Sequence, residues 1–372
     1  MPKFPPAAAS PRLISGLKPS FLAAGFLAAV RLTILPAHGA DTLLPMSGHC
    51  PPELSSVDAA LQRFMRERKF SAGTCAIMRK GTLVLERGYG WANREKTVAV
   101  MPDVRMRVAS VSKVFTATAV KRLIAEGKFT TETPVFRYLG FNVANIPGAD
   151  ARLDRITVGQ LLKHEGGWDR EASFDPMFID SRVQAAFGLR GPPGFKEILR
   201  YMLKQPLQFD PGSRTVYSNF GYCVLGQVIE KASGRSYDDF LKQEFLGPLG
   251  LKSVTAGARD RKAQEIWYDD PGAATINMES CHPSGGLIAN APDLCRFLQK
   301  YWISGEPRNP HRSQRWLFFG SLPGTTALVM QRPDGVDVAV LFNKRERDFK
   351  KQNEELRKLI DETLDRIKQW PK

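Results

Sequence analysis

The stretch Met106-Arg-Val-Ala-Ser110-Val-Ser112-Lys113-Val-Phe-Thr-Ala-Thr-Ala-Val120-Lys-Arg-Leu-Ile-Ala-Glu126-Gly127 marks a change of period in the chain. From Val114 to Val120 it carries no charge and no strict alternation, and Gly127 stops it, which predicts a helix from Val111 to Glu126 buried on all sides. A helix of that kind needs other layers around it. Upstream, Ser55 and Ser56 open an amphipathic helix with Val57, Leu61, Phe64 and Met65 on one face, and Ser55-x-x-Asp58 reads as a capping box. Thr74–Met78 and Thr82–Leu85, joined by Arg79-Lys-Gly81, then read as a hairpin running on to Gly88-Tyr-Gly-Trp91.

Downstream, residues of about 130–275 lack long strand signals and contain helical stretches, among them Gly221–Lys231, closed by Gly234, and Ser236–Phe245. The strongest hairpin comes last: Thr325–Met330 and Val336–Phe342 flank Pro333-Asp-Gly335. A final helix places Leu356, Leu359, Ile360, Leu364 and Ile367 on one face. The fold class expected is α/β in the α+β sense. An antiparallel sheet built from both ends of the chain is flanked by terminal helices, with a large helical region inserted. Its expected bounds are one domain at 41–372, the sheet region at about 48–112 plus 276–372 and the helical region at about 113–275.

The chain has 372 residues, 43% hydrophobic and 24% charged, a balance that excludes disorder and a multi-span membrane protein. Its 53 Lys+Arg against 38 Asp+Glu give a net charge of +15, but acids are mixed among the bases, so no nucleic-acid partner is expected. Lys3, Arg12 and Lys18 precede the apolar run Phe21–Val30, and Ala37-His-Gly-Ala40 supplies small residues, so residues 1–40 read as a signal peptide. The run is shorter than the about 20 apolar residues a bilayer span needs and Arg31 interrupts it; the alternative is an uncleaved single anchor reaching Leu35. Export, with a periplasmic or secreted mature protein and no stable membrane span after cleavage, is the localisation expected. Cys50, Cys75, Cys223, Cys281 and Cys295 form no C-x-x-C, and no histidine spacing suits zinc, so no metal site is expected. Cys223, inside Tyr222-Cys-Val-Leu225, reads as a buried, inert thiol.

The serine elbow G-x-S-x-G, the dinucleotide glycine string and the P-loop are all absent; Gly234-Arg-Ser236 reads as a helix stop followed by an N-cap. What occurs is Ser110-Val-Ser-Lys113. One helical turn separates Ser110 from Lys113, which puts both on one face with Cβ atoms about 5–6 Å apart. An apolar setting favours the neutral amine, and a neutral amine in reach can take the serine proton. About one Ser-x-x-Lys match is expected by chance in a chain this long, and Ser15 with Lys18 is one. Only Ser110 opens a charge-free core helix. A second candidate pair is Tyr217-Ser-Asn219: a phenol near cations relays protons, and an Asn amide orients a lysine and a substrate together.

Together these residues resemble the serine β-lactamase and penicillin-binding-protein-like superfamily, in its branch of class C β-lactamases, D-Ala-D-Ala carboxypeptidases and esterases. The resemblance covers roughly residues 55–345. It rests on Met106–Lys113, Leu161-Leu-Lys-His-Glu-Gly-Gly-Trp168, Pro211–Asn219 with the following Gly221-Tyr-Cys-Val-Leu-Gly226, Pro248-Leu-Gly-Leu251, and Ser284-Gly-Gly-Leu287 ahead of Asp293. It implies a β-lactamase/transpeptidase-like fold and a serine hydrolase that needs no cofactor, with Ser110 the acylated nucleophile, Lys113 its base, and Tyr217 and Asn219 the second motif. The third motif, a strand tripeptide ending in Gly, falls at Phe318-Phe-Gly320, followed by Ser321. Asn219, Phe318, Gly320 and Ser321 are thereby the implied substrate-binding residues, with backbone N–H groups of Ser110 and Ser321 as oxyanion donors.

Phe318 departs from the pattern, because relatives begin this tripeptide with a cation. A phenyl ring cannot pair with a substrate carboxylate, which leaves Arg315 as the nearby cation on the same segment and favours neutral, apolar acyl groups. The expected substrate is a small-molecule or peptide-like ester or amide, with cell-wall peptidoglycan among the candidate partners. The alternatives are a β-lactamase or D-Ala-D-Ala carboxypeptidase, and a catalytically silent penicillin-binding-like cell-wall protein. His164 reads as a structural histidine at a helix end, and Trp168, Trp267 and Tyr268 as either pocket lining or core.

Overall fold

The computed structural model describes residues 43–309 and 313–371; the expected signal peptide at 1–40 lies outside the described residues, as does His311. In chain order the elements are β1 (Met46–His49), α1 (Ser55–Glu67), β2 (Ala72–Arg79), β3 (Thr82–Gly90), β4 (Met106–Arg107) and α2 (Ser112–Ala125). The helical middle follows as α3 (Val135–Tyr138), α4 (Val158–Leu162), α5 (Asp180–Phe187), α6 (Phe195–Met202), α7 (Asn219–Ser233) and α8 (Tyr237–Leu241). After β5 (Thr255–Ala256), β6 (Leu287–Ala289) and α9 (Ala291–Leu298) the chain returns to the sheet in β7 (Trp316–Leu322), β8 (Thr325–Gln331) and β9 (Val336–Phe342), and ends in α10 (Phe349–Asp365).

Six strands form an antiparallel sheet in the order β1-β3-β2-β9-β8-β7. Its centre joins the two ends of the chain: Gly73 faces Phe342 and Arg79 faces Val336. β8 and β9 are buried along their whole length, because both faces of the sheet are covered and alternate residues serve different layers. Leu328, Met330, Val338 and Val340 pack with Leu61 and Met65 of α1 and Leu356 and Ile360 of α10. Ala327, Val329, Ala339 and Leu341 pack with α2, α7 and α9 on the opposite face. The antiparallel sheet with flanking helices and the helical insertion is the architecture expected.

Two local readings change. The capping box at Ser55 is not formed: the N-cap of α1 is Leu54 without a side-chain cap. Asp58 instead accepts from Arg87 Nη2 at 2.7 Å and from Tyr89 OH at 2.8 Å, since a charge-assisted pair outweighs one exposed backbone N–H. The α8 stretch is shorter than expected and passes into a π-turn at Lys242–Leu246. Ser236 does cap it, accepting from the Asp239 N–H. All five cysteines are free.

α2 is the buried helix the sequence predicts, preceded by a 3-10 turn at Ala109–Val111. Among its polar residues Ser112, Lys113, Thr116 and Thr118 are buried, and each has a polar partner within the protein. α7 begins at Asn219 because Ser218 caps it, and Gly234 ends it in the left-handed region at φ +69°. Among the described residues no helix is long and apolar enough to cross a membrane.

Candidate active site

Ser110 sits in the middle of the 3-10 turn that feeds α2. The turn is tight: Ala109, fully buried, has φ +47°, a left-handed conformation that an alanine holds only where its surroundings impose it. Those surroundings include the edge strand β7. A Cβ built on Gly320 would lie 2.0 Å from the Val108 carbonyl oxygen and 3.1 Å from Ala109 Cβ. The resemblance makes Gly320 a substrate-binding residue; its nearest neighbour is the backbone leading into the Ala109–Val111 turn.

Lys113 follows one turn later and is only 2% exposed. Its Nζ donates to Asn219 Oδ1 at 2.7 Å and to the Ser284 carbonyl at 2.5 Å, and stands 3.4 Å from Ser110 Oγ. Tyr217 OH donates to Ser110 Oγ at 2.6 Å, and Lys113 Nζ lies 4.8 Å from the Tyr217 ring centre. Because Ser218 caps α7, Tyr217 stays in extended chain and Asn219 enters the first turn, so both side chains reach Ser110 and Lys113 from one side. Asn219 is held in turn by Asp175, whose Oδ2 accepts from Nδ2 at 2.7 Å.

His164 follows the C-cap of α4 with φ +61° and accepts from the Ser218 N–H at Nδ1, 3.2 Å away. Its ring stacks on Tyr217 at 4.6 Å. Burial, aided by the nearby Lys113 charge, pulls its pKa down from 6.5 to about 3, so the ring is the neutral acceptor that this bond requires. It braces Tyr217 from behind and does not approach Ser110 as a base. Ser112 faces away, buried, with its Oγ accepting from the Leu287 N–H. Cys223 is buried, donates to Ser284 Oγ at 3.2 Å, and has its thiol pKa pushed up to about 12 by burial.

The cavity in front of Ser110 has a volume of about 870 Å³; its walls include Tyr217, Asn219, Phe318, Ser321 and Arg345. All four residues of the first two motifs therefore meet, and Phe318, Gly320 and Ser321 of the third lie on the strand beside them. Arg315 is not the nearby cation: its Nη1 donates to Asp361 Oδ2 at 2.8 Å, on the α10 side of β7. Arg345, from the loop between β9 and α10, enters the cavity instead, its guanidinium 5.4 Å from the Phe349 ring centre. Asn353 of α10 also lines the cavity, and its Oδ1 is buried without a hydrogen-bond partner. Trp168 belongs to the core, against Phe136 and Phe220. Trp267 and Tyr268 line a separate cleft with Arg94 and Arg107, not the Ser110 cavity. Asp175, Arg345 and Asn353 carry no local motif that would single them out; the Ser284 carbonyl lies within a quoted motif, but a backbone oxygen leaves no mark in a sequence.

The beta-lactamase family model matches residues 57–336, three quarters of the chain and all of the elements that build this cavity except α10 and the loop before it. The chain belongs to the beta-lactamase family. Within that family it is 31% identical over 277 residues to esterase EstB of Burkholderia gladioli, covering 65% of this chain and 68% of the esterase. It is 22% identical over 264 residues to protein flp of Staphylococcus aureus (strain MW2), covering 69% of this chain and 49% of flp. Thus the chain spans about half the length of some of the curated relatives it matches. Among solved structures, the D-amino acid amidase of Ochrobactrum anthropi SV3 superposes with a TM-score of 0.65 at 19% identity, over 85% of this chain and 99% of the amidase. That likeness establishes the shared beta-lactamase fold.

Proposed function

We propose that the protein is an exported serine hydrolase that cleaves a small ester or amide through an acyl-enzyme. One observation carries the reading: Ser110 Oγ lies between Tyr217 OH at 2.6 Å and Lys113 Nζ at 3.4 Å, at the mouth of a cavity large enough for a small substrate. In the first step Ser110 Oγ bonds to the substrate carbonyl carbon while its proton passes to the Lys113 amine, directly or through Tyr217. Collapse of the tetrahedral adduct breaks the bond to the leaving group, which takes the relayed proton. Water then attacks the acyl-Ser110 ester, the same groups removing its proton and returning one to Ser110. Backbone N–H groups of Ser110 and Ser321 are the assigned oxyanion donors. The esterase and amidase names of two relatives support ester or amide substrates.

Export to the periplasm or medium rests on the leader pattern of residues 1–40, and a cell-wall substrate on the basic balance of the chain. Labelling with a fluorophosphonate, followed by intact mass, tests the chemistry: one adduct on the wild type and none on Ser110→Ala is expected. Absence of any adduct would favour a catalytically silent scaffold.

Arg345 favours a second reading, a β-lactamase or D-Ala-D-Ala carboxypeptidase. It brings to the cavity the cation that Phe318 lacks, and so offers a carboxylate-bearing substrate a partner.

A further inference from the structure

His282 sits on the far side of the site from the cavity, in the turn that supplies the Ser284 carbonyl. That turn is wound around one acceptor: the N–H groups of Ser284, Gly285 and Gly286 donate to the Cys281 carbonyl at 3.0, 2.8 and 2.9 Å. Two of its own carbonyls face α2. The Pro283 oxygen accepts from Thr116 Oγ1 at 2.6 Å and the Ser284 oxygen accepts from Lys113 Nζ at 2.5 Å. The Pro283 ring lies on α7, where a Cβ on Gly226 would come within 2.4 Å of its Cγ. The outer edge of the turn is tied down by the Gly257 N–H, which donates to the Gly286 carbonyl at 2.7 Å, and by the imidazole of His282, with Nδ1 3.0 Å from Asp238 Oδ2 and Nε2 3.0 Å from the Gly257 carbonyl.

Both ring nitrogens therefore face oxygen acceptors. A neutral imidazole has one donor and one acceptor and satisfies only one of them; the imidazolium satisfies both. The charges that act on the ring are Asp238 of α8 and Glu279 of the turn's own approach; Glu230 of α7 and Lys196 and Glu197 of α6 line the same cleft. Burial alone would pull the pKa down, but the Asp238 hydrogen bond and charge, the Gly257 carbonyl and Glu279 outweigh it, and the net shift is upward from 6.5.

We infer that the His282–Asp238 pair is a positioning device for the base: by holding the Cys281–Gly286 turn, it holds the Ser284 carbonyl against Lys113 Nζ. His282 acts through Lys113 and does not line the cavity beside Ser110. When the imidazolium loses its proton one tether is released, the turn loosens and Lys113 loses a fixed acceptor. The acylation rate then acquires an alkaline limb that belongs to His282. The inference rests on Lys113 serving as the base of Ser110, and it goes beyond that assignment by naming what aims it.

Single-turnover acylation by a p-nitrophenyl ester across pH 6–10 tests it in the full chain, comparing wild type, Asp238→Asn and His282→Gln. The wild-type rate should fall on the alkaline side with a midpoint above 6.5. Asp238→Asn should move that midpoint to lower pH, and His282→Gln should abolish the limb and lower the plateau to about a tenth with KM unchanged, as expected for misplacement of a catalytic group. An alkaline limb that Asp238→Asn leaves in place overturns the inference. NMR titration of the His282 ring in the Ser110→Ala protein gives an independent reading, since a midpoint at or below 6.5 also overturns it. If the wild type forms no acyl-enzyme, the proposed function fails by itself. The coupling is then read from the Lys113 Nζ nitrogen shift, which should step at the His282 midpoint; no step rejects the positioning role.

Discussion

Tyr217 donates its hydroxyl to Ser110 Oγ at 2.6 Å, closer than the 3.4 Å that separates Lys113 Nζ from the same oxygen. The phenol is thus the immediate neighbour of the serine, while the lysine, engaged with Asn219 and Ser284, stands behind it. Tyr217→Phe removes the short bond and leaves Lys113 in place. The rate of fluorophosphonate labelling should drop about 10²–10⁴-fold, as loss of a positioned proton carrier does. Ser110→Ala should abolish labelling. Ser112→Ala should retain it, because Ser112 Oγ serves only the Leu287 N–H. Intact mass after timed labelling checks all three.

Lys113→Arg keeps a positive charge but replaces the amine with a guanidinium that cannot give up its proton. Ester turnover in the variant should fall about 10²–10⁴-fold, as loss of a positioned proton acceptor does. Steady-state hydrolysis of a p-nitrophenyl ester reads it. Retained turnover in Lys113→Arg would assign the base to another group.

Arg345 and Phe318 make opposing statements about substrate charge. Phe318 favours apolar acyl groups; Arg345 lines the cavity, with Asp270 the acid whose charge acts on it. Arg345→Ala should lower kcat/KM for carboxylate-bearing substrates such as nitrocefin by about tenfold or more, the loss of one charge-assisted hydrogen bond. Short-chain p-nitrophenyl esters should be nearly unaffected. Equal effects on both would remove Arg345 from substrate recognition.

Gly320→Ala places a methyl group 2.0 Å from the Val108 carbonyl oxygen, so either β7 or the nucleophile turn must shift. A cost of about 1–3 kcal/mol in stability and a large loss of labelling are expected. Gly191→Ala, where nothing lies within 4 Å of the new atom, is the control and should be neutral in thermal unfolding.

His164, with its pKa lowered from 6.5 to about 3, gives the native state an acid-sensitive term. The unfolded chain binds the proton first, so stability is full above about 6.5 and declines as pH falls toward 3, by about 2 kcal/mol at pH 5. The melting temperature of wild type should therefore fall more between pH 7 and pH 5 than that of His164→Gln. His282, shifted upward, has the opposite sign, contributing stability below 6.5 and losing it as pH rises through its folded value.

Ser110, Lys113, Tyr217 and Asn219 were legible in the sequence because their geometry is local: a helical turn joins the first two, and a cap between an extended residue and a first-turn residue joins the others. The paired hairpins were legible from alternation and turn residues, and their union into one sheet from the need to cover both faces. Asp175, Arg345 and Asn353 were not, since they reach the site from separate loops or helices with no spacing relative to Ser110. Arg315 was misplaced because composition does not tell on which side of an edge strand a flanking side chain finds its partner, and Asp361 of α10 takes it. The Ser55 capping box failed for a related reason: Asp58 is claimed by Arg87 and Tyr89 of β3, on the sheet face that α1 covers.

The pairing of β2 with β9 governs the order in which activity can appear during synthesis. Lys113 and Tyr217, which hydrogen-bond Ser110 Oγ, are translated well before the strand that packs on the Ser110 turn, β7, and the strand that closes the sheet, β9, which are among the last elements translated. Until they arrive, β2 lacks its inner neighbour and the positive φ of Ala109 lacks the edge strand beneath it. Long-range closures of this kind are slow and come late. A nascent chain halted before Trp316 thus holds its reactive serine on an unformed elbow, and the hydrolytic centre comes into being only when the C-terminal hairpin docks.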